Sequence, residues 1–506
     1  MLDKLKNTLK HTVVYSLGQL SIKVIGLVLL PLYTAYLQPE QYGILALLET
    51  TSLFVASIFS VNISNAMMRW WADSDDEKQK KKFVYTGFIF LVFSSIVLNL
   101  LVQPFADKFA LWLFDDEIFA VYFNILFISV AFDMLTKYVF SLMRVLEKSY
   151  YYIIVNSIKL VISLTLTIYF IVGLEMGVKG IILAQLVGNV AGFIALLPLL
   201  FKNLIAKIDY KALKEMLVYS IPLAFTALSL TIFNIGDRYV LKFVSGTYDV
   251  GIYSLAYKIA GFLNFFVLQS FQMGFLPIAY KMYKDSTAPR FFSKITTYLT
   301  MVMAFGALGL ALFAPEFAKI FAPSNPKYWE AAQYVGLISV VVVLFGYRFM
   351  LTLNFHFAKK TLHIPFIVTF FAGLNILLNF LMIPEFGING AVVSSIIATF
   401  LLNMVYYFVG RRFYKVDYKI LKDILVVFVA FGLYLLTFTF WEINIWIGIL
   451  LKLILLAIFP IIIVFFGFLE PIEKERLLQA WTKWKNPKQL KTNIKNLTNK
   501  NKKEKN

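Results

Sequence analysis

Long apolar runs recur along the whole chain and constrain its fold more than any other feature. A span needs about 20 apolar residues to cross the hydrocarbon layer as a helix, and a helix satisfies its own backbone hydrogen bonds in lipid. Only 15% of the 506 residues are charged, against about 25% in soluble proteins. The sequence therefore predicts an all-α polytopic membrane protein with 14 transmembrane helices, at 12–37, 41–66, 83–106, 118–142, 150–172, 178–201, 216–243, 249–277, 293–315, 331–355, 363–383, 387–410, 423–441 and 445–468.

The basic residues between these runs predict the orientation. If both termini are cytoplasmic, the cytoplasmic segments hold 36 lysines and arginines and the opposite loops hold five. Cytoplasmic loops of membrane proteins carry the excess of basic residues. We therefore expect the amino and carboxyl ends to lie inside (N-in/C-in).

A weak internal repeat indicates two halves. Tyr42-Gly43-Ile44 recurs as Val250-Gly251-Ile252 after 208 residues, and both stand near the start of a run. Six spans repeated in one orientation form two lobes around an axis along the membrane normal, with a central site between them. The predicted divisions are an amphipathic segment 1–11, an N-terminal six-helix lobe 12–201, a cytoplasmic linker 202–215, a C-terminal six-helix lobe 216–410, two additional transmembrane helices 423–468, and a basic cytoplasmic tail 469–506.

The sequence lacks the motifs typical of ATPases, enzymes and metal-binding proteins. There is no phosphate-binding loop motif, the predicted outward loops are short, and the chain contains no cysteine. His11, His356 and His363 all stand at predicted cytoplasmic edges. We therefore expect no enzyme activity, metal or organic cofactor. The basic tail is expected to attract anionic lipid rather than nucleic acid.

Charged residues inside the runs are the candidates for function, because ionisable groups at membrane depth usually face an interior or a water-filled cavity. The two predicted lobes hold more basic than acidic residues at depth, a surplus that favours an anionic substrate. The acidic ones are Glu49, Asp133 and Asp237, and the basic ones are Lys23, Lys137, Lys159, Arg238, Lys258 and Arg348.

Spacing indicates which of these charges are paired. Asp133 and Lys137 stand four apart on one helical face and are expected to neutralise each other. Asp237 and Arg238 are adjacent and are expected to point apart, leaving Arg238 free to pair with Glu49. Outside the lobes, Lys452 is expected to reach for the membrane surface. The substrate-binding candidates are then Lys23, Arg238, Lys258, Arg348 and Lys159.

Other polar groups at depth have less specific expectations. The three carboxylates could serve as ion-pair partners or as coupling sites for H+ or Na+. Seven amides could contact sugar hydroxyls, although such residues more often hold helices together. They are Asn62, Asn156, Asn189, Asn234, Gln269, Gln272 and Asn375.

Three stretches carry a resemblance to a known family. These are Leu37-Gln38-Pro39-Glu40-Gln41-Tyr42-Gly43 with the following run ending in Arg69, Asp237-Arg238-Tyr239-Val240-Leu241, and Ile383-Pro384-Glu385-Phe386-Gly387-Ile388-Asn389-Gly390-Ala391. They resemble bacterial polysaccharide (O-antigen-type) flippases of the multidrug/oligosaccharidyl-lipid/polysaccharide exporter superfamily. The chain departs from that family at Asn62 and Ser64, where a glycine often precedes the arginine. We expect this to affect only local packing.

The resemblance implies a function. Such a protein would move an undecaprenyl-diphosphate-linked oligosaccharide across the bacterial cytoplasmic (inner) membrane by alternating access, for O-antigen (lipopolysaccharide), capsule or exopolysaccharide biosynthesis. Its partners would be membrane lipids, a polysaccharide polymerase and other assembly proteins. Three alternatives stay open: a peptidoglycan-precursor flippase, a multidrug exporter of the same superfamily, and a non-transporting scaffold of a glycan-assembly complex.

Overall fold

The computed structural model describes residues 26, 29–437, 445–468 and 475. Every regular element within these residues is helical, and eleven helices are long and apolar enough to cross a membrane. Residues 29–36 are helical and are followed by α1 Pro39–Phe59, α2 Ile63–Asp73, α3 Glu77–Leu101, α4 Ala106–Phe114, α5 Ala120–Val145, α6 Ser149–Ile168, α7 Gly177–Lys202, α8 Tyr210–Ile235, α9 Asp237–Ser245, α10 Thr247–Phe262, α11 Ser270–Met282, α12 Ala288–Leu312, α13 Ala314–Phe321, α14 Ala332–Phe357, α15 His363–Phe413, α16 Ile420–Leu435 and α17 Ile445–Phe465.

The predicted all-α membrane fold is confirmed, but some predicted spans are not continuous helices. Run 41–66 is broken between α1 and α2, because Val61 and Asn62 adopt left-handed φ values of 45° and 55°. Run 216–243 is divided at Gly236, between α8 and α9. Runs 363–383 and 387–410 form one long helix with a kink at Gly387, where φ is 53°. A π-helical segment, Leu263–Gln269, joins α10 to α11.

Several sequence expectations fall on residues outside those described. These are the segment 1–11, most of run 12–37 with Lys23, and the tail 469–506 apart from Glu475. The count of 14 spans, the N-in/C-in orientation and the lobe boundaries stay predictions.

The core extends across both halves of the chain. The largest hydrophobic cluster includes Leu45 and Phe123 from the first half and Leu255 and Val335 from the second. Smaller clusters pack α2, α3 and α5 together and pack α12 against α16 and α17. The two halves are therefore joined by buried apolar side chains.

The backbones of α1 and α10 touch where they cross. A Cβ atom on Gly43 would lie 2.9 Å from the carbonyl carbon of Thr247, and one on Gly251 would lie 2.8 Å from that of Pro39. Only glycine permits this approach. The two glycines are the equivalent positions of the internal repeat, at the helix ends predicted to be outer.

Candidate functional site

Two polar cavities lie on either side of this crossing. The first, which we call the N-cavity, has a volume of about 740 Å³ and is lined from the first half by Glu49, Asn62, Asn65, Asp133, Lys137, Arg144, Asn156, Lys159 and Gln185, with Lys258 from the second half. The other, the C-cavity, has a volume of about 640 Å³, and its lining includes Asn234, Arg238, Asn264, Gln272, Arg348, Thr352, His356 and Thr361.

A three-residue ionic cluster lies on the wall of the N-cavity. The expected Asp133–Lys137 pair is present at 2.7 Å, and Lys159 from α6 approaches the other carboxylate oxygen at 3.2 Å. Two lysines thus share one carboxylate and leave one positive charge in excess. Sequence spacing set Lys137 aside as neutralised, yet it lines the cavity. The contribution of Lys159 could not be seen from spacing, because it comes from another helix.

A second ionic network lies between the cavities. Arg238 Nη1 is 3.3 Å from Asp237 Oδ1, and its guanidinium lies over the rings of Tyr253 and Tyr257 at 5.4 and 4.9 Å. The Tyr253 hydroxyl donates to the other oxygen of Asp237. Arg238 is therefore held in place by a carboxylate on one side and by aromatic rings on the other.

The expectation that Asp237 and Arg238 point apart is wrong, and Arg238 does not pair with Glu49. Asp237 is the first residue of α9, which follows α8 after Gly236, and its carboxylate accepts the backbone N–H of Arg238 at 2.9 Å. Lys258 is instead the residue beside Glu49, at 3.9 Å, and it lies over the ring of Tyr42 at 5.1 Å.

Arg348, in the C-cavity, has a different environment from the other cations. Its guanidinium lies 4.5 Å from the ring centre of Phe345 and 5.5 Å from that of Phe233. Its Nη1 atom is buried and, among the described residues, has no hydrogen-bond partner. No described carboxylate lies within ion-pair distance of it. Lys23 is not among the described residues.

Lys452 has an ion-pair partner on another helix. Its ammonium binds Glu316 at 2.6 Å, with a side chain that is only 13% exposed. The carboxylate is supplied by α13, which follows the predicted outer end of run 293–315. Lys452 therefore takes part in a structural ion pair outside both cavities.

The break between α1 and α2 supplies polar groups to the N-cavity. Ser60, Asn62, Ser64 and Asn65 all line it, and Asn65 donates to the Asn62 side chain at 2.8 Å. Irregular backbone is tolerated at membrane depth where it lines a wet cavity. The departure from the family pattern at Asn62 and Ser64 thus affects the cavity wall, and not packing alone.

The other amides divide between the two expected roles. Asn156, Asn234 and Gln272 line the cavities. Asn189 donates to the Ser129 hydroxyl at 2.9 Å, and Asn375 donates to Ser395 at 3.4 Å. Asn189 therefore joins α7 to α5, and Asn375 joins the two parts of α15 on either side of the kink at Gly387, as is common for membrane amides.

Polar contacts between the halves cluster beside the α1–α10 crossing. Thr34 donates to the Phe321 carbonyl at 2.6 Å, and the Tyr328 hydroxyl donates to the Leu37 carbonyl at 3.1 Å. Lys242 binds Asp115 at 2.6 Å. These contacts close one end of the space between the halves.

Solved structures share this architecture. The lipid II flippase MurJ in an inward closed conformation matches with a TM-score of 0.72 and 15% identity, covering 90% of this chain and 99% of that one. An inward-facing multidrug resistance MATE family transporter of the MOP superfamily matches with a TM-score of 0.65 and 16% identity, covering 79% and 94%. At such identity the likeness concerns the fold. Fold and cavities together define a multi-pass membrane protein with the fold of these transporters.

Sequence comparison gives the family. Residues 8–282 match the model of the polysaccharide biosynthesis protein family, and the chain belongs to that family. An uncharacterized membrane protein of Methanocaldococcus jannaschii is 24% identical over 401 residues, 74% of this chain and 91% of that protein. The capsular polysaccharide biosynthesis protein CapF of Staphylococcus aureus is 27% identical over 230 residues, 42% of this chain and 53% of that protein.

Proposed function

We propose that the protein is a flippase for undecaprenyl-diphosphate-linked oligosaccharides, moving them from the inner to the outer leaflet of a bacterial cytoplasmic membrane for surface polysaccharide biosynthesis. The observation that carries this proposal is the charge of the cavity walls. Six basic residues line the two cavities, whereas Glu49 and Asp133 are the acidic residues among the described lining. Counting Asp237, which is bonded to Arg238, the surplus is three positive charges.

The substrate explains why such a surplus is needed. A diphosphate and a polar glycan must cross about 30 Å of hydrocarbon, where an unpaired charge is costly. A cationic cavity replaces the water that the phosphates lose, and amides and hydroxyls on its walls can replace the water bound to the sugar. The lipid tail can stay in the bilayer.

Alternating access fits the position of the closed end. In the predicted orientation the α1–α10 crossing closes the outer side. The cavities reach residues near the predicted cytoplasmic edge, such as Arg144 and His356. Separation of α1 from α10, with closure of the cytoplasmic ends, would expose the same cavities to the outside. Glu49, Asp133 and Asp237 are the carboxylates available for H+ or Na+ coupling in this cycle.

Gene deletion in the native host tests the proposal against its rivals. We expect viable cells that lack one surface polysaccharide and accumulate its lipid-linked unit in the inner leaflet. Lethality with accumulation of the peptidoglycan precursor would identify a peptidoglycan-precursor flippase instead. Increased sensitivity to cationic drugs with normal polysaccharide would identify a drug exporter, a role for which a cationic cavity is poorly suited.

Complementation of the deletion tests the scaffold alternative. Arg348→Gln and Lys159→Gln should abolish surface polysaccharide while the protein still reaches the membrane, because both remove charge from a cavity wall. Arg412→Gln, at an exposed position, is the matched control and should complement fully. A scaffold that transports nothing would tolerate all three substitutions.

A further inference from the structure

The six basic residues that line the cavities differ in whether a carboxylate lies beside them. Lys137 and Lys159 share Asp133 at 2.7 and 3.2 Å, Lys258 lies 3.9 Å from Glu49, and Arg238 lies 3.3 Å from Asp237. Each of these cavity cations thus has a carboxylate within the described part of the chain. Arg144 and Arg348 have none there. Arg144 is exposed, whereas the Nη1 atom of Arg348 is buried and has no hydrogen-bond partner among the described residues.

A guanidinium at membrane depth without a partner is costly, and such groups mark substrate or ion pathways. The planar fork of arginine matches phosphate oxygens in a bidentate way. The stacking of Arg348 on Phe345 and Phe233 holds the guanidinium plane but satisfies none of its N–H groups. An anion with several acceptor oxygens would satisfy them.

The rest of the C-cavity suits the same ligand. Asn264, Gln272 and Thr361 line it and can donate hydrogen bonds, and the cavity also has an apolar side with Leu223 and Leu362. A lipid diphosphate has both parts: acceptor oxygens and a hydrocarbon chain attached directly to them.

The N-cavity has the lining expected for sugar. Around its ionic cluster it offers the hydroxyls and amides of Ser60, Asn62, Ser64, Asn65 and Gln185. Such neutral groups can donate to or accept from sugar hydroxyls. Of the basic residues in this cavity, Lys137, Lys159 and Lys258 lie beside the carboxylates of Asp133 or Glu49, and Arg144 lies near the predicted cytoplasmic edge.

We propose that the cavities divide the substrate: the C-cavity binds the diphosphate through Arg348, and the N-cavity binds the glycan. This inference rests on the proposed function and adds to it the place where each part of the substrate lies. The C-cavity should therefore bind lipid diphosphates whether or not a sugar is attached to them.

The test uses farnesyl diphosphate, a lipid diphosphate that carries no sugar, with the purified full chain in nanodiscs. Arg348→Gln should weaken its binding by at least about tenfold, as loss of hydrogen bonds to a charged group predicts. Lys159→Gln and Arg412→Gln should leave the affinity within about twofold. Arg348→Lys should restore part of the binding, because it returns the charge without the fork.

Folding and transport measurements separate the possible failures. Arg348→Gln removes an unpaired charge and should not lower the unfolding temperature, so weaker binding would not reflect unfolding. If Arg348→Gln bound farnesyl diphosphate as tightly as the wild-type protein, the assignment of the diphosphate to the C-cavity would be wrong. The same conclusion would follow if Lys159→Gln lost as much affinity as Arg348→Gln. In either case, transport of the sugar-bearing lipid by the wild-type protein would still support a flippase. If the wild-type protein neither bound farnesyl diphosphate nor moved an undecaprenyl-diphosphate-linked disaccharide into liposomes, the proposed function itself would fail.

Discussion

Replacement of Gly43 by alanine should prevent the closure at the α1–α10 crossing. The new Cβ atom would lie 2.9 Å from the carbonyl carbon of Thr247 and 3.0 Å from the backbone nitrogen of Gly251, whereas ordinary contact begins at 3.4 Å. The Thr247 carbonyl oxygen lies closer still to the added Cβ, so the helices must move apart by more than the about 0.5 Å that the carbonyl carbon alone requires. Because the neighbours are backbone atoms, no side-chain rotation can relieve the clash.

The size of the effect follows from the cost of overpacking. Extra methyl groups in a well-packed contact typically cost about 1–3 kcal/mol. Since the clash exists only in the closed arrangement, this cost shifts the equilibrium toward the open one by between about fivefold and about 150-fold. The variant should still fold, because the open arrangement relieves the strain.

Thiol accessibility measures this equilibrium directly. The chain has no native cysteine, so Ser163→Cys on the N-cavity wall gives a single reactive site. In right-side-out vesicles, Gly43→Ala should increase its labelling by an impermeant maleimide. Gly373→Ala, whose added Cβ meets no atom within 4 Å, is the control and should leave labelling unchanged. Equal labelling in both variants would refute the assignment of the crossing as the outer closure.

Three further predictions concern stability and pH. Val61→Gly should raise the unfolding temperature, because a left-handed φ in a β-branched residue costs about 1–3 kcal/mol. The greater chain entropy that glycine loses on folding costs only about 0.5–1 kcal/mol. A lower unfolding temperature would show that the backbone is not strained at this position. Lys452→Gln should destabilise the protein by between ~1 and ~3 kcal/mol by leaving Glu316 unpaired, and adding Glu316→Gln should recover most of this loss in calorimetry, whereas additive losses would exclude a pair. The backbone N–H of Ala212 donates to the Asp209 carboxylate and lowers its pKa, so Asp209 stabilises the folded state above its unfolded pKa of about 3.9 and loses this effect as pH falls below that value. Asp209→Ala should therefore cost about 0.5–2 kcal/mol at pH 7 and less at pH 3, and a pH-independent difference in denaturant titrations would contradict the cap.

The sequence predicted the features that depend on composition and local spacing. The all-helical membrane fold follows from apolar runs, and the Asp133–Lys137 pair follows from a spacing of four residues on one helix. The surplus of positive charge at depth also follows from counting residues. Each of these needs only the chain near the residue itself.

What the sequence did not predict depends on contacts between helices or on backbone breaks. Lys159 joins Asp133 from another helix, and Glu316 meets Lys452 across 136 positions of sequence. The left-handed Val61 breaks a run that reads as one span, and valine gives no local signal for such a conformation. Gly236 separates Asp237 from α8, and Arg238 pairs with Asp237 rather than with Glu49.

The measurement that tests the central claim most directly is translocation by the purified protein. A fluorescent undecaprenyl-diphosphate-linked disaccharide is placed in the membranes of liposomes containing the protein, and an impermeant quencher reports its leaflet over time. We expect rapid exchange between leaflets with the wild-type protein and loss of that exchange with Arg348→Gln. Exchange no faster than in protein-free liposomes, or a rate unaffected by Arg348→Gln, would contradict it.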